Sequence, residues 1–484
     1  MDLSYATATE LLAALAAGEL SSRELLEHQL TRIEAVNPAL NAVVTLDAER
    51  ALARAGEADQ ARARGKSWGP LHGLPMTVKD VFETAGLRTT SGAPELAEHV
   101  PERDAVTVAR LKAAGAIIVG KTNTPLYAGD DQTFNDVFGT TNNPWDVSRS
   151  PGGSSGGSAA ALAAGMTPLE LGSDIGGSIR APSHFCGTYG LKASWGTVPS
   201  RGHIPGPPGS LLEPDVNVCG PMARSVADLV LAHGVLAGPR PEDAVAWHLE
   251  LPPAEALGPV AVEGLRVALS IDEDGFPLAA DVAQVLRSYA DRLADAGAVV
   301  EEVPLPVPLR QLADSWLDLV VPIIGSGLPD DVFAAFAPLA DLEPTDLLGR
   351  AGRGMAIRFR DRNAADQRRQ QHRARFAEHA QRYDVTLVPP FATAAFPHDE
   401  RDIVERFVDV DGQQVHDLDA VAWCAGIGTV LVPVVALPAG RTSSGLPVGV
   451  QVVGSWLQDR RLLAQAAAMD DVAGGFVAPP MLAT

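Results

Sequence analysis

Apolar and polar positions follow two different spacings along this chain, one typical of helices and one typical of strands. The first 65 residues carry apolar positions at helical spacing, and two capping boxes, Thr7-x-x-Glu10 and Ser21-x-x-Glu24, predict where two helices begin. The dipeptide Asn37-Pro38 predicts the end of the second helix. From residue 74 onward, short apolar runs alternate with helical segments, which is typical of an α/β sheet protein.

The predicted elements lie on both sides of a polar, glycine-rich stretch. Strands are predicted from short apolar runs at residues 41–46, 76–81, 116–119, 265–269, 298–303, 385–388, 430–437 and 449–453. Helices are predicted at residues 48–64, 104–114, 159–165, 281–296 and 459–469, and residues 309–383 are mainly helical and rich in arginine. Residues 120–225 are dense in Gly, Ser, Thr, Asn and Pro but poor in charge, which favours a folded site built from loops. We expect one large sheet that the C-terminal segment completes.

Composition and charge exclude several classes of protein. The 484 residues are 46% apolar, so a large core can be buried. The 60 acidic and 38 basic residues give a formal charge of −22, which argues against a nucleic-acid or an anionic-membrane partner. The start Met1-Asp2-Leu3-Ser4 has no basic stretch, and no window holds 18 uninterrupted apolar residues. These features predict a soluble, cytoplasmic enzyme.

Cysteine and lysine are both rare. Cys186, Cys219 and Cys424 lie far apart without a CxxC pair, so we expect neither a disulfide framework nor a zinc site. No His, Cys and Asp residues show metal-ligand spacing, and we expect no metal and no cofactor. Almost all basic residues are arginine, and the lysines are confined to positions 66, 79, 112, 121 and 192. A lysine in an apolar strand is therefore a candidate base, because a desolvated lysine can lose its proton near neutral pH.

Two short motifs have a simple structural explanation when each is taken alone. The run from Gly115 to Thr122 matches the phosphate-loop pattern, but its centre, Ala-Ile-Ile-Val, predicts a buried strand and no helix follows. The run from Gly152 to Gly156 matches the G-x-S-x-G elbow of α/β-hydrolases. That elbow needs an acid and a histidine downstream, and Asp399 and His416 have no context that singles them out.

Three segments together carry a stronger chemical signal. Lys79 lies in the apolar segment Leu-Pro-Met-Thr-Val-Lys-Asp, and Ser154 lies in Ser-Pro-Gly-Gly-Ser-Ser-Gly-Gly-Ser. Ser178 follows Gly-Ser-Asp-Ile-Gly-Gly. A serine needs a base to become a nucleophile, and a buried neutral lysine can supply one through a second hydroxyl. Glycines ahead of Ser178 allow backbone N–H groups to converge on one point, as in an oxyanion hole.

These segments resemble the amidase signature family of serine hydrolases. The resemblance covers residues 71–224, resumes at 433–454 and is loose at 240–420. It implies a single large α/β/α fold over residues 1–484, with a mixed central sheet covered by helices. Within it, we expect N-terminal helices at 1–65, the signature core at 71–225, a variable, largely helical insertion and cap at 240–420, and completing strands and helix at 430–470.

The resemblance also implies a role for each matching residue. Ser178 matches the nucleophile, Ser154 the bridging serine on a cis peptide bond, and Lys79 the base. The backbone N–H groups that match the oxyanion hole belong to Ile175, Gly176, Gly177 and Ser178. Ser155, Ser173, Asp174 and Arg180 match supporting residues. Lys121, Lys192 and Cys186 are interpreted as structural.

The implied reaction is cleavage of a C–N bond through an acyl-enzyme. Lys79 takes a proton from Ser154, which takes one from Ser178, whose oxygen attacks the carbonyl. Small amides are the expected substrates, with aryl esters, anilides and carbamates (urethanes) as further candidates. We expect a monomer or a homodimer that works without a different protein as its partner.

Two alternatives stay open. The first is the amidase subunit of a glutamine-dependent tRNA amidotransferase, which has a similar core; residues 385–400 and 422–426 depart from what that subunit leads us to expect. The second is a non-catalytic binding protein, which would not need the Lys–Ser–Ser set. For substrate binding the sequence suggests the loop at residues 127–134, with the candidates Tyr127, Gly129, Asp130, Gln132 and Phe134. Apolar walls are suggested at Trp195, His203, Ile204, Pro205, Leu211, Leu212, Trp316, Ile323 and Phe333.

Overall fold

A computed structural model describes residues 1–204, 208–252, 260–326, 330, 333–334, 337–343 and 347–480. The chain combines helices with one large mixed sheet, as the sequence predicts. In the described residues the strands are β1 Val43–Leu46, β2 Pro75–Lys79, β3 Ile117–Thr122, β4 Leu169–Asp174, β5 Tyr189–Lys192, β6 Val218–Ala223, β7 Arg266–Leu269, β8 Val299–Glu302, β9 Val385–Val388, β10 Phe407–Val410, β11 Gln413–His416, β12 Val434–Arg441 and β13 Pro447–Val453.

The helices surround these strands. Their bounds are α1 Ala8–Ala17, α2 Ser22–Leu40, α3 Ala48–Ala63, α4 Val106–Ala113, α5 Gly156–Ala163, α6 Arg180–Cys186, α7 Val226–Leu236, α8 Ala280–Asp295, α9 Leu309–Ser326, α10 Leu347–Met355, α11 Phe359–His379, α12 Asp417–Ala420, α13 Ala422–Thr429 and α14 Asp459–Ala473. Short 3-10 turns lie at Pro94–Leu96, Leu126–Ala128, Ala337–Asp341 and Ile403–Glu405. No helix of the described residues is long and apolar enough to cross a membrane.

The central sheet has eight strands in the order β4-β6-β5-β12-β13-β9-β7-β8. Pairing is antiparallel from β4 to β9 and parallel between β9, β7 and β8. The C-terminal hairpin β12–β13 therefore lies in the middle of the sheet, between strands that come from distant parts of the chain. Its side chains are buried over most of both strands, which is typical of a sheet covered on both faces.

The first three strands differ from the prediction of one large sheet. β1, β3 and β2 form a separate sheet in that order, and β10 and β11 form a hairpin of their own. β2 packs beside β4 without pairing with it. The backbone N–H of Thr77 in β2 instead donates to the side chain of Thr167, just before β4 begins, at 3.2 Å. The apolar runs indicate strands but carry no information on which strands pair.

The second helix runs past the residue where we expect it to stop. α2 continues to Leu40 with Pro38 inside its last turn, so the prediction that Asn37-Pro38 ends it is wrong. Leu40 is buried, which favours keeping the last turn helical. The Asn37 side chain accepts from the N–H groups of Ala42 and Val43 at 2.9 Å each, and so stabilises the exit from the helix.

Two strands, one helix and the turn before it place the chemically interesting segments close together. β2 ends at Lys79, and β4 ends at Asp174, directly before the segment that carries Ser178. The glycine-serine turn around Ser154 leads into α5, whose residues are all buried. The sequence did not predict β4, β5, β6 or α6, because residues 120–225 carry too little apolar periodicity to indicate them. It did not predict α7 either, which lies just after that stretch.

Candidate active site

Lys79 is fully buried at the end of β2 and hydrogen bonds to two hydroxyls. Its Nζ lies 2.6 Å from Ser154 Oγ and 3.1 Å from Ser173 Oγ. The neighbouring Asp80 belongs to a different set of contacts, since its carboxylate accepts from the N–H and the hydroxyl of Thr90 at 3.0 and 2.6 Å. Lys79 and Asp80 therefore have different partners, and Lys79 is not held by an ion pair with its neighbour.

Burial lowers the pKa of Lys79 to about 7, because an ammonium loses its hydration there; Asp174, Cys219 and Glu170 oppose this shift. A large fraction of the amine is therefore neutral at neutral pH. Two other lysines, Lys121 and Lys192, are also buried, with pKa values that burial lowers to about 8 and about 7. A low lysine pKa is thus common in this core, and the two hydroxyl contacts are what distinguish Lys79.

The glycine-serine turn connects Lys79 to the segment that carries Ser178. The peptide bond between Gly153 and Ser154 is cis. The backbone N–H of Ser155 donates to the carbonyl oxygen of Ser178 at 3.1 Å. Ser178 is partly exposed, and its Oγ makes no hydrogen bond with any other described residue. The hydrogen bond from Ser178 to Ser154 that the relay needs is therefore not formed in this arrangement.

The segment before Ser178 is held by a buried ion pair. Asp174 accepts from Arg180 Nη2 and Nε at 2.7 and 2.9 Å, and it also accepts from the N–H groups of Gly177 and Ile179 at 2.8 and 3.0 Å. Burial would raise the pKa of Asp174, but the charge and hydrogen bonds of Arg180 outweigh it and lower the pKa to about 2. Arg180 also donates to the Cys424 carbonyl at 2.7 Å, which joins this loop to α13.

The hydrogen bonds of Asp174 use one of the four N–H groups that were expected to bind the oxyanion. Gly177 has φ +126°, a conformation that favours glycine, and its N–H donates to Asp174. The N–H groups of Ile175, Gly176 and Ser178 donate to no other described residue. We expected all four N–H groups to point at one oxyanion. In these hydrogen bonds the Gly177 N–H instead donates to Asp174 of the ion pair, which leaves the other three N–H groups as candidate donors.

An aromatic wall borders the same loop. The indole N–H of Trp316, from α9, donates to the Ile175 carbonyl at 3.0 Å. Its ring lies 3.0 Å from where a side chain on Gly176 would begin. Trp195, also suggested as a wall, packs with Trp316 and Ile175 against a buried apolar cluster of Val216, Val320 and Leu431.

The loop at residues 127–134 lies against the glycine-serine turn, but the side chains suggested for substrate binding are engaged elsewhere. Tyr127 donates its hydroxyl hydrogen to Glu95. Asp130 pairs with Arg406 at 2.7 Å, and Gln132 donates to the Asp399 carbonyl at 2.8 Å. Gly129 is exposed, and Phe134 is partly exposed.

The remaining suggested wall residues are scattered. Leu211 and Leu212 are exposed, as is Phe333, and Ile323 is partly exposed. His203 and Ile204 lie beside residues 81–82, just after β2, and both are buried. Pro205 lies outside the described residues.

The structure adds an arginine that sequence reasoning missed. Arg406 is buried between the loop at 127–134 and Asp417, the first residue of α12. Its local sequence, Val-Glu-Arg-Phe, matches no motif, and its carboxylate partners come from two distant parts of the chain. Among the described residues, no group of three or more His, Cys, Asp or Glu side chains could hold a metal ion.

Comparisons with known proteins give the family of the chain. The amidase family model matches residues 24–463. The A-subunit of glutamyl-tRNA(Gln) amidotransferase from Acidothermus cellulolyticus is 35% identical over 492 residues, covering 97% of this chain and 94% of that protein.

Two solved structures resemble the chain over nearly its whole length. A bacterial aryl acylamidase of the amidase signature family is 25% identical with a TM-score of 0.82, covering 97% of this chain and 96% of its own. A vestigial protein complex described as revealing the origins of an s-triazine catabolic enzyme is 28% identical with a TM-score of 0.82, covering 98% and 100%. The chain belongs to the amidase signature family, whose members include enzymes that act on C–N bonds.

Proposed function

We propose that this protein hydrolyses an amide C–N bond through an acyl-enzyme on Ser178. The observation that carries the proposal is the buried contact of 2.6 Å between Lys79 Nζ and Ser154 Oγ, beside the segment that holds Ser178. A lysine with a pKa of about 7 can act as a base at the pH of the reaction. Ser154 then links that base to the nucleophile.

Each chemical step has a residue to perform it. Ser178 Oγ gives its proton to Ser154, Ser154 gives its own to Lys79, and the Ser178 oxygen bonds to the substrate carbonyl. The N–H groups of Ile175, Gly176 and Ser178 hold the oxyanion, and loss of one such donor costs about 3 kcal/mol. The C–N bond breaks as Lys79 returns the proton to the amine through Ser154. Water, activated in the same way, then hydrolyses the ester on Ser178.

Ser155, Ser173, Asp174 and Arg180 act as supporting residues in this proposal. Ser173 holds the lysine amine, and Ser155 joins the turn to the nucleophile segment. Asp174 and Arg180 keep the oxyanion segment in shape. No metal and no cofactor take part in the proposed steps.

The relatives favour glutamine as the substrate, with the chain as the amidase component of a glutamyl-tRNA(Gln) amidotransferase. The match at 35% identity spans nearly the whole of both chains, which supports this function better than a hydrolase that works alone. In this function the ammonia released from glutamine passes to another protein of the same complex.

A small apolar amide or carbamate is the second candidate, and one observation favours it. The side chains nearest to where a side chain on Gly176 or Gly177 would begin are Trp316, Cys424 and Val421, and all are uncharged. Glutamine carries an α-ammonium and an α-carboxylate, and both need charged or polar partners when they leave water. An aryl group would instead pack on the indole ring of Trp316.

One assay distinguishes the two candidate functions. The purified chain is offered glutamine, a p-nitroanilide, an aryl ester and an aryl carbamate, with and without the other subunits of a glutamyl-tRNA(Gln) amidotransferase. Glutamine turnover that depends on the added subunits assigns the first function, and turnover of an anilide or carbamate by the chain alone assigns the second. Wild type and a Ser178→Ala control that turn over every substrate at the same rate would contradict the acyl-enzyme on Ser178.

A further inference from the structure

We propose that Arg406 is a positioning residue for the catalytic turn: it holds the loop at residues 127–134 against Gly153, and thereby holds the Ser154 hydroxyl beside Lys79. This inference rests on the function proposed above. We call residues 127–134 the site loop and residues 399–417 the strap.

The site loop packs closely against the turn at Gly153. A side-chain carbon on Gly153 would lie only 2.6 Å from the Asp130 carbonyl oxygen, the Asp131 carbonyl carbon and the Gln132 nitrogen. The loop backbone is therefore in direct contact with Gly153, the residue that precedes Ser154. Thr133 adds two hydrogen bonds to the same turn, since its hydroxyl donates to the Gly152 carbonyl at 2.8 Å and accepts from the Gly156 N–H at 3.2 Å.

The strap holds the other side of the site loop. Arg406 Nη2 contacts Asp130 at 2.7 Å, Asp131 at 3.2 Å and Asp417 at 3.0 Å, and its side chain is 2% exposed. Gln132 makes two hydrogen bonds to the Asp399 backbone, at 2.8 and 3.1 Å. The site loop thus lies between the catalytic turn and a buried guanidinium.

The charges make Arg406 necessary for this packing. The buried carboxylates of Asp131 and Asp417 and the partly exposed carboxylate of Asp130 face one guanidinium. Asp399 on the strap adds a fourth acid nearby, beside the exposed Arg401. Burial raises the pKa of Asp130 to about 7, and that of Asp417 to about 6. Burial and Asp417 also raise the pKa of Asp131. Without the guanidinium, ionised Asp130 and Asp131 could not stay buried, so the site loop would move away from Gly153.

The test is the rate at which a fluorophosphonate labels Ser178, because labelling needs the Lys79–Ser154 relay but no bound substrate. In Arg406→Met we expect the labelling rate at pH 8 to fall at least tenfold. Arg406→Lys keeps a cation but contacts fewer carboxylates, so its rate should lie between those of wild type and Arg406→Met. A matched control is Arg369→Met, which removes a buried arginine of α11 that pairs with Asp215 and Asp366; its rate should stay within twofold of wild type.

A pH series distinguishes positioning from a loss of folded protein. Protonated carboxylates need no cation, so the labelling rate of Arg406→Met relative to wild type should be closest to one at pH 6 and should fall as the pH rises to 9. The folded fraction of each variant is measured in the same buffers by circular dichroism. Equal rates in wild type and Arg406→Met, or a loss that only follows the folded fraction, would overturn the inference. A wild-type protein that is not labelled on Ser178 would instead refute the proposed function, and this inference with it.

Discussion

Replacing Lys79 with methionine removes the proposed base. Measured relative to wild type, the free energy of unfolding of this variant should be more favourable at low pH than at high pH. Lys79 is fully buried, and burial lowers its pKa from 10.5 to about 7. At about 1.4 kcal/mol per pKa unit, this shift corresponds to about 5 kcal/mol of preference for the neutral amine in the folded protein. The folded wild-type protein bears that cost whenever the lysine is protonated.

The sign follows from proton binding. Between pH 7 and pH 10.5 the unfolded lysine holds a proton that the folded one has lost, so the stability of wild type rises with pH over this window. Lys79→Met has no such group. The free energy of unfolding of Lys79→Met, relative to wild type, should therefore be about 4 kcal/mol more favourable at pH 6 than at pH 10. The hydrogen bonds lost at Ser154 and Ser173 reduce the stability of the variant at every pH and cancel in this difference.

Urea unfolding followed by circular dichroism between pH 6 and pH 10 gives the difference directly. Lys66→Met, at an exposed lysine, is the matched control and should show the same pH dependence as wild type. If Lys79→Met and wild type change in parallel across this range, the amine of Lys79 is not neutralised by burial and cannot act as the proposed base.

Three further predictions concern the same site. Lys79→Arg keeps a positive charge but cannot release a proton, so kcat should fall at least about 100-fold at every pH, as judged from steady-state rates. Asp174→Asn leaves buried Arg180 without its counter-charge and should lower the free energy of unfolding by about 3–5 kcal/mol in urea titrations. Trp316→Phe removes the hydrogen bond to Ile175, worth about 1 kcal/mol, and should lower kcat roughly fivefold with little change in KM.

Each of these has an outcome that contradicts it. A tenth or more of wild-type kcat in Lys79→Arg would mean that the lysine acts as a fixed charge. The control for Asp174→Asn is Glu27→Gln, which breaks an exposed ion pair and should lower the free energy of unfolding by less than about 1 kcal/mol. Equal losses of stability in the two variants would contradict a special role for the buried pair. For Trp316→Phe, an unchanged kcat would show that the indole N–H does not support the oxyanion segment.

The sequence indicated which segments come together, and it predicted the sheet incompletely. The motifs around Lys79, Ser154 and Ser178 resemble those of one family, and the structure places Lys79 beside Ser154 and the Ser154 turn beside the segment of Ser178. β4 and β6 could not be predicted, because the runs Leu-Glu-Leu-Gly-Ser-Asp and Val-Cys-Gly-Pro-Met-Ala are short and are interrupted by glycine or proline, so neither shows a sustained strand pattern. Pairing between strands far apart in the chain, as in β5 with β12, depends on tertiary packing that local pattern does not record.

The side-chain contacts around the site were harder to predict than its reactive groups. Asp130 and Gln132 were suggested to bind substrate because their loop was expected to border the site. In the structure both contact the strap, where Asp130 pairs with Arg406 and Gln132 binds the Asp399 backbone. Arg406 itself comes from a segment about 276 residues away in the chain, and no local signal marks it.

The identity of the serine that forms the covalent bond tests the central claim most directly. The purified chain is treated with a fluorophosphonate, digested, and analysed by mass spectrometry to locate the adduct. We predict a single adduct on Ser178, absent from Ser178→Ala and strongly reduced in Lys79→Arg. An adduct on Ser154 in wild type, as the G-x-S-x-G elbow would require, would contradict the relay from Ser178 through Ser154 to Lys79.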